Sequence, residues 1–132
     1  MVQLSAYFTF NGNCREAMTF YKECLGGELE LQTVADSPMG EQLPTKIKEC
    51  ILHAKLRSET IIIMGTDMAP EHLVKGNTVS MVLTFRSEKK LKEVYQKLSK
   101  DGEASHPPEL TFYGTLFGNL TDKFGHHWHF HY

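Results

Sequence analysis

The strongest constraint on the fold is an alternation near the C-terminal end of the sequence. Residues 127–132 read HWHFHY, so that histidines alternate with large aromatic residues. Successive side chains of a β-strand point to opposite faces of its sheet. The stretch therefore predicts one strand with an imidazole face and an aromatic face. We expect Trp128 and Phe130 to lie in the core and the three histidines to face water, a ligand or a polar cavity.

The first half of the chain predicts a strand, a helix and three further strands. The helix begins after Asn13, which we interpret as an N-cap with Glu16 as its return partner, and it ends near Leu25 before a pair of glycines. Its apolar residues follow the spacing of a buried helix face. The predicted strands are residues 3–10, 28–34, 47–56 and 60–64, and residues 35–46 are predicted to form a long loop.

The second half repeats this order. Residues 77–85 predict a strand, Ser87 an N-cap, and the helix that follows is expected to end at Gly102. Strands are predicted near residues 103–105, 115–121 and 126–132. We interpret the chain as one α+β domain, 1–132, built from two βαβββ modules at about 1–68 and about 76–132. Curved mixed sheets are expected to enclose a cavity, with the helices outside.

Alternation also predicts which side chains share a face. On the third strand the apolar side is predicted to hold Cys50, Leu52, Ala54 and Leu56, and the mixed side Ile51, His53, Lys55 and Arg57. On the fifth strand Val79, Met81, Leu83 and Phe85 are expected under the helices, with Ser80, Val82 and Thr84 opposite. We therefore expect His53, Ser80 and the C-terminal histidines on one concave face.

Composition excludes several classes of protein. The formal net charge is −2 and the basic residues are scattered, which leaves no stripe for nucleic acid. No apolar run approaches the ~20 residues that span a bilayer, and the N-terminal residues do not resemble a signal peptide. The three cysteines lack metal-type spacing and favour free thiols in a reducing cytosol. We expect a cytoplasmic protein without a membrane partner.

Several of these residues resemble a known family. The FTFNGN stretch at 8–13 with Phe20-Tyr21, His53-Ala54, and TDKFG at 121–125 followed by Trp128 are similar to the PhnB-like branch of the vicinal oxygen chelate superfamily. That superfamily includes glyoxalase I, bleomycin-resistance proteins and extradiol dioxygenases, and the resemblance covers essentially the whole chain. It implies a small organic molecule bound in the sheet cavity. A methyltransferase activity, named for some relatives, is not supported, because the sequence has no glycine-rich loop for S-adenosylmethionine.

The metal enzymes of this superfamily place four ligands on the strands. Transferred by the resemblance, these positions fall at Ala6, at Ile63 or Met64, at Ser80 and at His129. Only His129 carries a coordinating side chain, whereas a divalent site needs three or four convergent ligands. We therefore expect neither a metal nor another cofactor.

The ligand-binding candidates are His53, Ser80, Tyr113 and His129. Each has a structural alternative. His53 could be a histidine bonded to a backbone carbonyl, and Tyr113 could close the end of the barrel. The C-terminal histidines could line an edge or cavity wall as hydrogen-bonded or hydrated imidazoles. Two function classes stay open. One is a binding protein, and the other is a metal-independent lyase or isomerase that uses His53 and His129 as general acid and base. Exposed sheet edges favour a homodimer, and the resemblance implies one too, because small two-module chains of this superfamily usually pair.

Overall fold

The computed structural model describes residues 2–38 and 42–132, and it divides into two compact units with the boundary between Leu73 and Val74. Each unit contains a four-stranded mixed sheet, in which the first strand runs parallel to the last. The predicted α+β class with two βαβββ modules is confirmed.

The first unit has the sheet order β1-β4-β3-β2. Its elements are β1 (Ala6–Thr9), α1 (Cys14–Leu25), β2 (Glu28–Thr33), a 3₁₀ turn (Val34–Asp36), α2 (Thr45–Lys48), β3 (Ile51–Arg57) and β4 (Ile62–Thr66). The predicted loop at 35–46 therefore contains a turn and the start of a short helix, while its residues 39–41 lie outside the described residues. The prediction that the third strand begins at 47 was wrong. Backbone bonds from Lys48 N to Pro44 O and from Glu49 N to Thr45 O hold this segment helical.

The helix α1 packs against its sheet as its apolar spacing predicts. Ala17, Phe20, Tyr21 and Cys24 are buried, and the Tyr21 ring lies 5.7 Å from that of Phe8 on β1. Asn13 is the N-cap residue, as predicted, but its side chain makes no capping hydrogen bond, so the predicted pairing with Glu16 was wrong.

A buried aspartate that directly follows β4 caps α1 instead. Asp67 Oδ1 accepts from the backbone N–H groups of Gly12 and Cys14 at 3.0 and 2.9 Å. Its Oδ2 accepts from Ile51 N at 2.8 Å. One carboxylate thus joins the start of the helix to the start of β3.

The two faces of β3 do not follow simple alternation. Ile51, Ala54 and Leu56 are buried, whereas Leu52 is only partly buried. On β2, Gln32 pairs with His53 and Thr33 with Ile51, which leaves Leu52 as an extra residue in β3. A β-bulge of this kind resets the alternation, and for that reason the predicted apolar side was wrong at Leu52 and at the neighbouring Cys50, which is also only partly buried.

The second unit has the sheet order β5-β8-β7-β6. Its elements are β5 (Ser80–Thr84), α3 (Glu88–Leu98), β6 (Glu103–Leu110), β7 (Leu116–Thr121) and β8 (His127–His131). Ser87 caps α3 as predicted, with its Oγ accepting from Lys90 N at 3.2 Å. The helix ends at Leu98 and not at Gly102. β6 runs further than predicted, since its two prolines are tolerated at the sheet edge.

The aromatic face of β8 forms the core of the second unit. Trp128 and Phe130 are 1% and 0% exposed, which confirms the alternation predicted for this strand. The Phe130 ring stacks on Phe85 at 5.7 Å and meets Tyr95 of α3 edge-on at 5.1 Å. Val79, predicted to be covered, is 69% exposed because strand pairing begins only at Ser80.

Candidate functional site

The three histidines of β8 share one side of the second sheet, which we call the histidine face. Their neighbours in register are residues of the two adjoining strands. On β5 these are Ser80, Val82 and Thr84, and on β7 they are Thr121, Asn119 and Phe117, opposite His127, His129 and His131 respectively.

The β7–β8 register brings the side chains of this face close together. Leu116 and Tyr132 exchange both backbone hydrogen bonds, at 3.2 and 2.9 Å. Hydrogen-bonded and non-hydrogen-bonded pairs alternate in an antiparallel ladder. The three pairs that contain a histidine are therefore of the non-hydrogen-bonded type, in which Cα atoms lie only ~4.5 Å apart and side chains approach most closely.

His127 is held at both ring nitrogens. Its Nδ1 lies 2.9 Å from Thr121 Oγ1, and its Nε2 lies 3.3 Å from the carbonyl oxygen of Gly76. Because a carbonyl oxygen only accepts, Nε2 carries the proton, and in the neutral ring Nδ1 accepts from the threonine hydroxyl. His127 therefore ties the segment before β5 to the sheet, which fits the structural alternative given above for this residue.

His129 is placed differently. Its ring meets Phe117 edge-on with centroids 5.4 Å apart. Within residues 2–38 and 42–132, neither ring nitrogen has a hydrogen-bond partner. An imidazole with free nitrogens is able to donate a hydrogen bond to a bound molecule or to accept one from it.

A cavity of about 190 Å³ opens on the histidine face. Its lining residues are Asn77, Ser80, Ser105, Asn119, Leu120, Thr121, His127, Trp128 and His129. Two of the four predicted ligand-binding residues, Ser80 and His129, thus line the same cavity. The described lining holds hydroxyl, amide and imidazole groups but no carboxylate, lysine or arginine.

The other two candidates are not among the residues that line this cavity. His53 belongs to the first unit, where it pairs with Gln32 across β2–β3 and its ring lies 6.3 Å from that of Tyr7. Tyr113 is 68% exposed in the turn between β6 and β7, edge-on to Phe112 at 4.8 Å. It does not line the cavity on the histidine face.

The donors present do not fit the superfamily's four-ligand metal centre. Ala6 and Ile63 are direct partners in register, but they lie on the face of the sheet where Phe8 packs against α1. Their neighbours on the opposite face are Tyr7 and Met64, which offer neither imidazole nor carboxylate. Across the described part of the chain, no group of three or more histidine, cysteine, aspartate or glutamate side chains is arranged to share an ion.

Four polar residues of the cavity were missed in the sequence: Asn77, Ser105, Asn119 and Thr121. The sequence did contain a signal for Asn119. Along β7, Phe117, Asn119 and Thr121 alternate with Leu116, Gly118 and Leu120, which places Asn119 on the face opposite the core. Ser105 had no such signal, since β6 pairs with β7 through two register shifts that simple alternation does not predict.

Comparison with known proteins decides the family. A family model of the Glyoxalase/Bleomycin resistance protein/Dioxygenase superfamily matches residues 3–130. The chain belongs to this superfamily. Protein YjdN of Escherichia coli is 31% identical over 137 residues, covering 95% of this chain and 91% of the relative.

Solved structures of similar proteins agree with the fold. Protein PA1353 of Pseudomonas aeruginosa is 33% identical with a TM-score of 0.82, covering 98% of this chain and 96% of its own. The PhnB protein of Bacillus cereus, described as a putative 3-demethylubiquinone-9 3-methyltransferase, is 22% identical with a TM-score of 0.76 and covers 98% of each chain. That likeness concerns the fold alone, and with it the resemblance to PhnB-like proteins is confirmed. In the described residues no helix is long and apolar enough to cross a membrane.

Proposed function

We propose that this chain binds a small organic molecule in the cavity on the histidine face of its second sheet. The observation that carries the proposal is the convergence of Ser80, Asn119 and His129 on one cavity of about 190 Å³. Sites for drug-sized ligands occupy roughly 300–1,000 Å³. The ligand we expect is therefore compact, or places only its polar end in this cavity.

The residues of the lining support binding through hydrogen bonds and ring contacts. Ser80 and His129 bring polar atoms without a partner among the described residues. Phe117, in edge contact with the His129 ring, adds an apolar surface beside them. Most small-molecule sites are lined mainly by apolar side chains with a few polar groups. This lining is mainly polar, which favours a ligand that is held by hydrogen bonds.

A thermal-shift panel of small polar compounds tests the proposal, with His129→Gln as the site variant. Glutamine keeps a hydrogen-bonding side chain but removes the ring. His131→Gln is the matched control, because His131 stands two residues away on the same strand and face but outside the cavity lining. We expect compounds that raise the melting temperature of the wild type to lose this effect in His129→Gln and to keep it in His131→Gln. Equal responses of the two variants would contradict the proposed site.

A second candidate function is metal-independent catalysis of the lyase or isomerase type. It is favoured by the free ring nitrogens of His129, which suit a general acid or base. His53 stays the predicted second group. In this case the protein should turn over a carbonyl substrate. Substitution of either histidine by glutamine should reduce that turnover while the protein still folds.

Assembly and location complete the proposal. We expect a homodimer, because the edge strands β1, β2, β5 and β6 leave backbone groups unpaired within their own sheets. Light scattering at micromolar concentration measures this directly, and a monomeric mass would contradict it. We expect the cytoplasm as the compartment, on account of the three free cysteines.

A further inference from the structure

Asn119 lies directly opposite His129 in the β7–β8 ladder. The pair is of the non-hydrogen-bonded type, as established above. The neighbouring pair of the same type, Thr121 and His127, brings its side chains to 2.9 Å. The same backbone geometry puts the Asn119 amide and the His129 ring within reach of one small group placed between them.

The Asn119 side chain is oriented from its other side. Ser105 Oγ donates to Asn119 Oδ1 at 2.8 Å, which occupies the carbonyl end of the amide. The backbone of Asn119 is fixed as well, because its carbonyl oxygen accepts from the Tyr95 hydroxyl at 2.9 Å. The amide nitrogen Nδ2 is thus the end of the side chain that is left for a ligand, and it only donates.

The other free polar atoms of the cavity are compatible with the same kind of partner. An imidazole carries at least one N–H in either protonation state, and a serine hydroxyl donates or accepts. His127 and Thr121 already bond to each other. With no carboxylate in the described lining, a cationic ligand would have no counter-charge there. The lining has no lysine or arginine either, so that a carboxylate would be held by N–H and O–H donors alone.

We infer that Asn119, oriented by Ser105, is the specificity-determining residue of this cavity, and that it selects ligands presenting a carbonyl or carboxylate oxygen. This inference rests on the proposed function and narrows it to a chemical class. The oxygen receives one hydrogen bond from Asn119 Nδ2 and one from the His129 ring. A ligand that offers only donors meets the N–H groups of Asn119 without an acceptor, which costs affinity.

Titrations monitored by NMR with three small probes test the inference: acetate and acetone, which present acceptor oxygens, and methylammonium, which only donates. We expect acetate and acetone to shift the Asn119 side-chain amide and the His129 ring resonances, and methylammonium to leave them unchanged. Asn119→Asp keeps the shape of the side chain and its bond from Ser105 but replaces the donor by an acceptor. It should weaken acetate and acetone binding at least tenfold. Asn11→Asp makes the same chemical change at an exposed position and should have no effect.

The outcomes separate this inference from the proposed function. Shifts by acetate or acetone that persist in Asn119→Asp would overturn the role of Asn119 and leave a binding site on the histidine face intact. Methylammonium binding as tightly as acetate in the wild type would overturn the chemical class. If none of the three probes shifts these resonances, the chemical class is overturned as well. The proposed function fails only if the wider thermal-shift panel detects no ligand whose effect depends on His129.

Discussion

The hydrogen bond between Trp128 and Asp122 provides a test of how the β7–β8 turn is held. Asp122 is 3% exposed, and its Oδ2 accepts from Trp128 Nε1 at 2.8 Å. Its Oδ1 accepts from Phe124 N at 2.8 Å and from His126 N at 3.0 Å. We predict that removing either partner of the Asp122–Trp128 bond destabilises the second unit strongly.

The magnitude follows from burial and from the number of bonds. Trp128→Ala removes the largest buried side chain, and such changes cost about 3–5 kcal/mol. Trp128→Phe keeps most of the bulk but removes the indole N–H that donates to the buried Asp122 carboxylate, which costs about 1–3 kcal/mol. Asp122→Asn keeps an oxygen for the two backbone N–H groups but turns an amide donor toward the indole N–H, with a similar cost. For a domain stable by about 5–15 kcal/mol, each change is large.

The assay is urea unfolding of the two single variants and the double variant. Trp128 is the only tryptophan of the chain, and its substitution removes the tryptophan fluorescence signal. Unfolding is therefore followed by far-UV circular dichroism. We expect the double variant Asp122→Asn/Trp128→Phe to be less destabilised than the sum of the singles, by about 1 kcal/mol or more. Asp101→Asn, at an exposed turn position, is the matched control and should be additive with Trp128→Phe.

Strict additivity of Asp122→Asn and Trp128→Phe, within about 0.3 kcal/mol, would refute the reasoning. It would mean that the indole is held by packing alone. A loss of less than about 1 kcal/mol in Trp128→Ala would contradict the assignment of this side chain to the core.

Further predictions concern thiols, a glycine, a histidine and metal content. Burial raises the pKa of the Cys14 thiol from 9.0 to about 12, so that an aromatic disulfide reagent at pH 8 should modify Cys50 in the folded protein and Cys14 only after unfolding. Because the folded state then retains a proton that the unfolded state loses, stability should fall as pH rises above about 9 toward 12, as measured by urea midpoints. Gly102→Ala should cost about 3 kcal/mol or more, since a Cβ there would overlap backbone atoms at the end of β7, and a near-native melting temperature would contradict this packing. Burial lowers the pKa of His126 below 6.5, so the folded state resists protonation and stability should fall as pH drops below that value; His126→Gln should reduce the slope. Elemental analysis of untagged protein should find well under a stoichiometric amount of nickel, zinc or iron, and one equivalent lost in His129→Ala would show that the ligand positions were misplaced.

The order of the elements was accessible from the sequence because local patterns determine it. The period-2 alternation of β8 and the apolar spacing of α1 are properties of single elements. Burial of Trp128, Phe130 and Tyr21 followed from these patterns and is confirmed. Their agreement with local propensity is what allowed the βαβββ order to be predicted without a template.

Features that depend on distant residues were not accessible. The cap of α1 comes from Asp67, which is 53 residues from Cys14 in the sequence, so the local Asn13–Glu16 pattern gave the wrong answer. The bulge at Leu52 depends on how β2 pairs with β3, which a single strand does not encode. Long-range pairings of this kind override local signals.

The same distinction applies to the candidate site. Ser80 and His129 were predicted from alternation and resemblance, whereas Asn119 was missed because its relevance depends on register. Only the β7–β8 pairing puts its side chain opposite His129. Whether His53 and Tyr113 bind a ligand stays a prediction.

Two of the residues that carry the family resemblance, Asp122 and Trp128, hold this register. Asp122 binds the turn and Trp128 at once, and its backbone N–H donates to His126 O at 2.8 Å, which starts the β7–β8 ladder. A slip by one residue would turn every side chain of β8 to the opposite face. It would also move the histidines into the wider hydrogen-bonded pairs. The Asp122–Trp128 pair therefore determines, from the buried side of the sheet, that His129 stands beside Asn119 on the open side.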